Sequence, residues 1–214
     1  MRLGILISIV LFTGSVFSQG LIPPRAEVVN VQMDGSGCDA SNARAIFTQD
    51  VTTLSVLYDN FIAEIGKGTA QPKAKSAEKK CTVLIDVVAT PGWSFNIASV
   101  EYRGFIEAPD KTTLAYQLAS IESNGLATIG FEQALIKGPY INNHSLVVKN
   151  KNLGLLKNSM CDGSPQRLRV KTLIGVRNLL AAIGFMRPKV SIGVDSADGQ
   201  INQRFVFNWK KCGL

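Results

Sequence analysis

Alternation with a period of two limits how this chain can fold more than any other feature. Over 167–176, Leu168, Val170, Thr172, Ile174 and Val176 face one way while Arg167, Arg169 and Lys171 face the other. Such a pattern is a strand with one buried and one solvated face. Ile201, Gln203, Phe205, Phe207 and Trp209 form a second set, against Asn202, Arg204, Val206 and Asn208. Cys81, Val83, Ile85 and Val87 form a third, with Leu84 and Val88 making its other face partly apolar. Further strands are expected over 27–33, 44–48, 53–65, 94–106, 112–121, 127–131, 145–148 and 189–194. Turn pairs separate them, among them Pro91-Gly92, Asn124-Gly125, Gly138-Pro139 and Asp162-Gly163. Asp198-Gly199, lying between two alternating runs, is the best hairpin signal. Many short strands with frequent turns predict an all-β fold, an antiparallel sandwich or a sandwich-like barrel.

Three segments qualify this pattern. Within 53–65 the apolar register slips, because Leu54, Val56 and Tyr58 are even while Phe61, Ala63 and Ile65 are odd. A bulge or tight bend at Asp59-Asn60 explains the slip. The stretch 66–80 carries Lys67, Lys73, Lys75, Lys79 and Lys80 with only Glu78 opposing, which reads as a long, basic surface loop. Over 177–185, Leu179, Leu180 and Ile183 suit a short helix as well as a strand.

The beginning of the chain reads as a secretory signal at 1–18. Arg2 is followed by ten apolar or small residues from Leu3, too few to span a bilayer as a helix, and Val16-Phe17-Ser18 fits a small-x-small cleavage site. The rest, 19–214, is expected to be one domain with a sizeable core, without a transmembrane segment, in an extracellular or periplasmic setting. Cys38, Cys81, Cys161 and Cys212 are far apart and contain no C-x-x-C, which points away from zinc or redox chemistry and toward two disulfides. Four cysteines allow three connectivities, and spacing alone leaves all of them open. The 23 Lys and Arg exceed the 16 Asp and Glu by 7, and losing Arg2 with the signal leaves +6, a bias toward anionic surfaces.

Catalytic motifs are sparse. His144 is the one histidine, which excludes multi-histidine metal sites. Its surroundings, Asn142-Asn143-His144-Ser145, read as an exposed loop that includes a glycosylation sequon. No G-x-S-x-G, P-loop or dinucleotide fingerprint occurs, so no metal, nucleotide or other cofactor is expected. Glycan hydrolysis needs two facing carboxylates, and among Asp59, Glu64, Asp86, Glu101 and Glu132 the pair to test is Asp59 with Asp86. Asp195 and Asp198 lack the dense oxygen-ligand run of a calcium loop. The aromatics Trp93, in Pro91-Gly92-Trp93-Ser94-Phe95, and Tyr102, followed by Arg103, either complete a core or stack on sugar rings from a loop.

The succession Gly35-Ser36-Gly37-Cys38, Asp59-Asn60-Phe61, Lys79-Lys80-Cys81, Pro91-Gly92-Trp93-Ser94-Phe95 and Tyr102-Arg103-Gly104 resembles the secreted proteins grouped as domain of unknown function 4360. Gly138-Pro139, Cys161 and the ending Phe207-Asn208-Trp209-Lys210-Lys211-Cys212 continue the pattern in order. Asn158-Ser159-Met160 departs from the Trp and Pro expected before Cys161, and 179–185 looks like a local insertion. The resemblance implies secretion and an all-β fold, and it brings no activity with it. The working disulfide expectation is Cys38–Cys81 with Cys161–Cys212, which closes each half separately and ties down the last strand. The leading functional expectation is a non-enzymatic module for a glycan or an anionic envelope polymer, using Trp93, Tyr102, Arg103, Lys67, Lys73, Lys75, Lys79 and Lys80. The alternatives are a carboxylate-dependent glycan hydrolase and a structural coat or matrix protein.

Overall fold

A computed structural model describes residues 26–39, 41, 43–49, 51–123, 127–150, 161–179, 188–194 and 203–213. The expected signal at 1–18 lies outside the described residues. Those described form strands and turns, with no helix among them. One antiparallel sheet runs in the order β1 (Ala26–Asp34), β5 (Ser76–Ala89), β10 (Gln166–Asn178), β7 (Thr113–Ser123) and β8 (Ala127–Lys137). We call it the β10 sheet. The other is built around β6 (Trp93–Ala108) and contains β2 (Ala43–Phe47), β3 (Thr53–Tyr58), β4 (Ile62–Ile65), β9 (Tyr140–Lys149), β11 (Val190–Gly193) and β12 (Gln203–Lys211).

In this β6 sheet, β9 lies along one edge of β6, and β11 and β12 lie end to end along the other. Beyond them β4 and β3 also lie end to end, with β2 outermost, so the sheet is five strands wide. The break between β3 and β4 falls at Asp59-Asn60, and across it burial passes from Leu54, Val56 and Tyr58 to Phe61, Ala63 and Ile65, as the register slip predicts. The inward residues of both sheets make one continuous core, with Phe95, Ile97, Val100 and Phe205 facing Ile85, Leu168, Val170 and Ile174. The two antiparallel sheets thus pack face to face on one shared core.

Both expected disulfides form, Cys38–Cys81 and Cys161–Cys212, closing separations of 43 and 51 residues. Loop-closure entropy makes each of them a constraint of about 4 kcal/mol on the unfolded chain.

Three local expectations are corrected, and one open choice is narrowed. Residues 76–80 are not loop but the start of β5, because Ser76–Lys80 pair residue for residue with Arg177–Leu173 of β10. Completed ladder bonds outweigh the weak strand preference of Lys, Ser and Ala there. The run beginning at Arg177 starts as strand, since β10 continues to Asn178, while 180–187 lie outside the described residues. The runs flanking Asp198-Gly199 do not form a hairpin, because β11 and β12 both pair with the same edge of β6 instead of with each other. His144 is in strand β9 and half-buried, and not on an exposed loop.

Candidate functional site

The residues expected to form a site do not converge. Tyr102 is buried at 1% exposure. Its hydroxyl accepts from Gln203 Nε2 at 3.1 Å and lies 2.9 Å from Thr172 Oγ1, while Tyr58 donates to Gln203 Oε1. This chain of polar groups crosses the core, and burial pushes both phenols up from their ordinary range. Tyr102 therefore braces the two sheets and is closed to a surface ligand. Trp93 opens β6 half-buried, whereas Arg103 is exposed on the outer face of the β6 sheet opposite Ser145. Lys67, Lys73 and Lys75 lie before β5, at the opposite end of that strand from Trp93, roughly 40 Å away at strand rise. Lys79 turns its ammonium to the Ser36 carbonyl at 2.9 Å.

The acids are equally dispersed. Asp86 lies on the outer face of the β10 sheet, where Arg167 grips it through two 2.8 Å bonds and Asn30 donates at 3.0 Å. The Arg167 hydrogen bonds hold its carboxyl below the usual range, which suits a fixed anion and not a proton donor. Asp59 is exposed at the β3–β4 break in the other sheet. His144 Nε2 is 3.1 Å from Gln117 Oε1, and burial lowers its pKa. The described residues contain no group of three or more His, Cys, Asp or Glu able to hold a metal ion.

A different surface carries an organised set of side chains. The outward residues of the β10 sheet line up in rows that follow from register. One row crosses the sheet as Glu78, Gly175, Tyr116 and Leu135, and its neighbours are Lys80, Leu173, Leu118, Gln133 on one side and Ser76, Arg177, Leu114, Lys137 on the other. A Cβ added to Gly175 would lie 2.3 Å from Tyr116 Cζ and 2.4 Å from its hydroxyl. The phenol from β7 therefore lies across β10 at the one place where no side chain stands in its way, and donates to Glu78 on β5. Partial burial first, and then the Glu78 carboxylate, push its pKa up to about 12, so at neutral pH the hydroxyl is a fixed donor.

Beside this ring the sheet face is apolar and open. Phe131 is 47% and Leu135 72% exposed, both on edge strand β8. A shallow depression of 240 Å³ lies between Phe131, Leu118, Leu173, Lys80 and Lys171. Its geometry is that of a platform, broad and wet, and it offers no enclosed pocket. Lys80 comes from the expected set, but Tyr116, Phe131 and Leu135 were missed. Each sits in an alternating strand, where an apolar residue ordinarily signals core.

The chain is thus a disulfide-stapled, two-sheet antiparallel β-sandwich with an exposed aromatic and aliphatic platform on one sheet. It belongs to the family described as Domain of unknown function (DUF4360), which matches residues 24–212. An uncharacterized secreted protein of Arthroderma benhamiae is 26% identical over 83 residues, 39% of this chain and 33% of that protein's length. Among solved structures, TmCBM61 in complex with beta-1,4-galactotriose aligns over 86% of this chain and 90% of its own, at 7% identity and TM-score 0.28. The family 11 carbohydrate-binding module of a Clostridium thermocellum cellulosomal cellulase aligns over 75% and 91%, at 8% identity and TM-score 0.15. Scores this low carry no argument about ligands.

Proposed function

We propose that this protein is a secreted, non-enzymatic module that holds a polysaccharide against the outer face of the β10 sheet. The observation that carries the reading is Tyr116, laid across Gly175 with its hydroxyl held by Glu78. A ring held over a sheet by close packing and a hydrogen bond costs little further entropy to order on binding. Phe131 and Leu135 extend that face along β8, which suits an elongated ligand better than a small compact one. Two formed disulfides and a secreted relative support export. The dispersal of Asp59 and Asp86 weighs against a hydrolase.

Affinity electrophoresis through gels containing soluble polysaccharides tests the reading. Retardation by at least one polymer is expected, weakened about tenfold or more in Tyr116→Ala with an unchanged melting temperature, as for a central aromatic contact. Equal retardation of wild type and Tyr116→Ala would remove Tyr116 as the platform.

A further inference from the structure

Charge on the β10 sheet is divided unevenly. Arg167 is neutralised by Asp86, and Arg169 and Lys171 by Glu122 at 3.3 and 2.6 Å. Lys80, Arg177 and Lys137 are exposed, and none of them has an ion-pair partner among the described residues. The satisfied cations are clustered toward the β1 end of the face. The unsatisfied ones border Tyr116, with Lys80 in the row on one side and Arg177 and Lys137 in the row on the other. Adjacent rows lie about 7 Å apart along a strand, so each cation is within one side-chain length of a ligand seated on the ring. Glu78 is the carboxylate within this group; it accepts the Tyr116 hydroxyl and keeps its charge, so with Lys80, Arg177 and Lys137 the four groups carry a net charge of +2. Asp34, at the end of β1, is across the sheet from Tyr116.

From this arrangement we infer that the platform takes an acidic polysaccharide, whose rings lie on Tyr116 while its carboxylate or sulfate groups meet Lys80, Arg177 and Lys137. The inference rests on the platform reading and names its ligand class. Cations left unpaired beside an apolar strip give a polyanion both a stacking surface and counter-charges, whereas a neutral glycan would leave them unused. The lysines of 66–75 are a separate basic region and are not needed.

Two matched pairs of polymers test it: polygalacturonate against its methyl ester, and dextran sulfate against dextran. Each pair keeps the sugar backbone and removes the charge. The wild type should bind at least one charged member more tightly than its neutral counterpart, and the preference should shrink as salt rises. Lys80→Gln, Arg177→Gln and Lys137→Gln together should cost about tenfold for the charged polymer, at roughly the strength of exposed ion pairs, and leave neutral binding unchanged. Lys67→Gln, Lys73→Gln and Lys75→Gln together should leave both unchanged. Equal affinity for both members of each pair, unaffected by the first triple variant, overturns the acidic class and leaves the platform standing. Equal losses in the two triple variants, with no effect of Tyr116→Ala, indicate bulk charge attraction and overturn the inference. No binding to either charged polymer, with retardation by a neutral polysaccharide that Tyr116→Ala weakens, overturns the acidic class and leaves the platform standing.

Discussion

Two groups of aromatic side chains occupy this sandwich under opposite conditions. Phe47, Phe95, Phe207 and Trp209 pack between the sheets near the Cys161–Cys212 end, with ring centroids 5.3 to 6.2 Å apart, and Trp209 Nε1 donates to the Val51 carbonyl at 3.0 Å. Tyr116, half-buried, and Phe131, 47% exposed, lie on the outside of the other sheet, with the Tyr116 ring resting on β10 at Gly175. In the first group Phe95 and Phe207 are buried and Phe47 and Trp209 pack half-buried against them, so the group contributes burial. The second is held from one side only, and the face left over is available for a ligand. The same residue types thus stabilise in one place and present a surface in the other, and the difference lies in what covers them.

Removing a ring from each group should separate these roles. Phe207 is 4% exposed between Phe47, Phe95 and Trp209, so Phe207→Ala should cost about 3–5 kcal/mol, read from the urea midpoint at unchanged m-value. Phe131→Ala, on the open face, should cost well under about 1 kcal/mol. Comparable losses would show that Phe131 is covered and would end the distinction. Replacing Cys161 and Cys212 by Ser should cost about 2–4 kcal/mol and release β12, which continues directly into Cys212. Its effect should be largest on hydrogen exchange of β12 and small on β1 and β5. Tyr102→Phe removes one hydroxyl and strands the Gln203 amide and Thr172, at a cost of about 1–3 kcal/mol. A neutral result there would mean that the buried polar chain does not couple the sheets.

The two groups also differ in how far they could be read from sequence. Phe205, Phe207 and Trp209 recur at every second position, and so do Leu168, Val170 and Ile174 with Thr172 between, which is why the core and the all-β architecture were legible. The same alternation put Gln203 and Thr172 on the inward face without a reason, and the hydrogen bonds to Tyr102 supply it. Period alone cannot tell an apolar residue facing the core from one facing solvent when both faces of a strand carry them. The strand expected over 127–131 continues to Lys137, and neither Phe131 nor Leu135 reads as marking a surface. Gly175 carries no signal by itself beyond the usual weakening of a strand by glycine. Its function depends on Tyr116, 59 positions earlier and adjacent only through the pairing of β7 with β10. Lys80 was singled out for its charge, but its neighbours across the sheet were not visible.

A small expected change in stability belongs to Gly175, and it tests the platform most directly. Gly175 has ordinary strand geometry, so Gly175→Ala introduces no backbone strain, and its added methyl group occupies space now filled by the Tyr116 ring. The ring must lift, losing its bond to Glu78 and part of its burial, while the strand itself remains. Because those are the causes of the raised pKa, the Tyr116 phenol should titrate nearer its ordinary value of about 10 in the variant than in the parent, where it is pushed up to about 12. Glu78→Gln should move it the same way by a smaller amount, since burial is the larger cause. The sign for stability follows from a folded pKa above the unfolded one. The contribution is complete below about pH 10 and is lost as pH rises toward 12. Gly175→Ala should flatten that decline while leaving stability at pH 7 within about 1 kcal/mol of the parent. Ultraviolet titration of tyrosinate, with Tyr116→Phe used to identify the signal, measures the shift. An unchanged titration in Gly175→Ala would mean that the ring does not rest on Gly175, and the platform would lose its geometric basis.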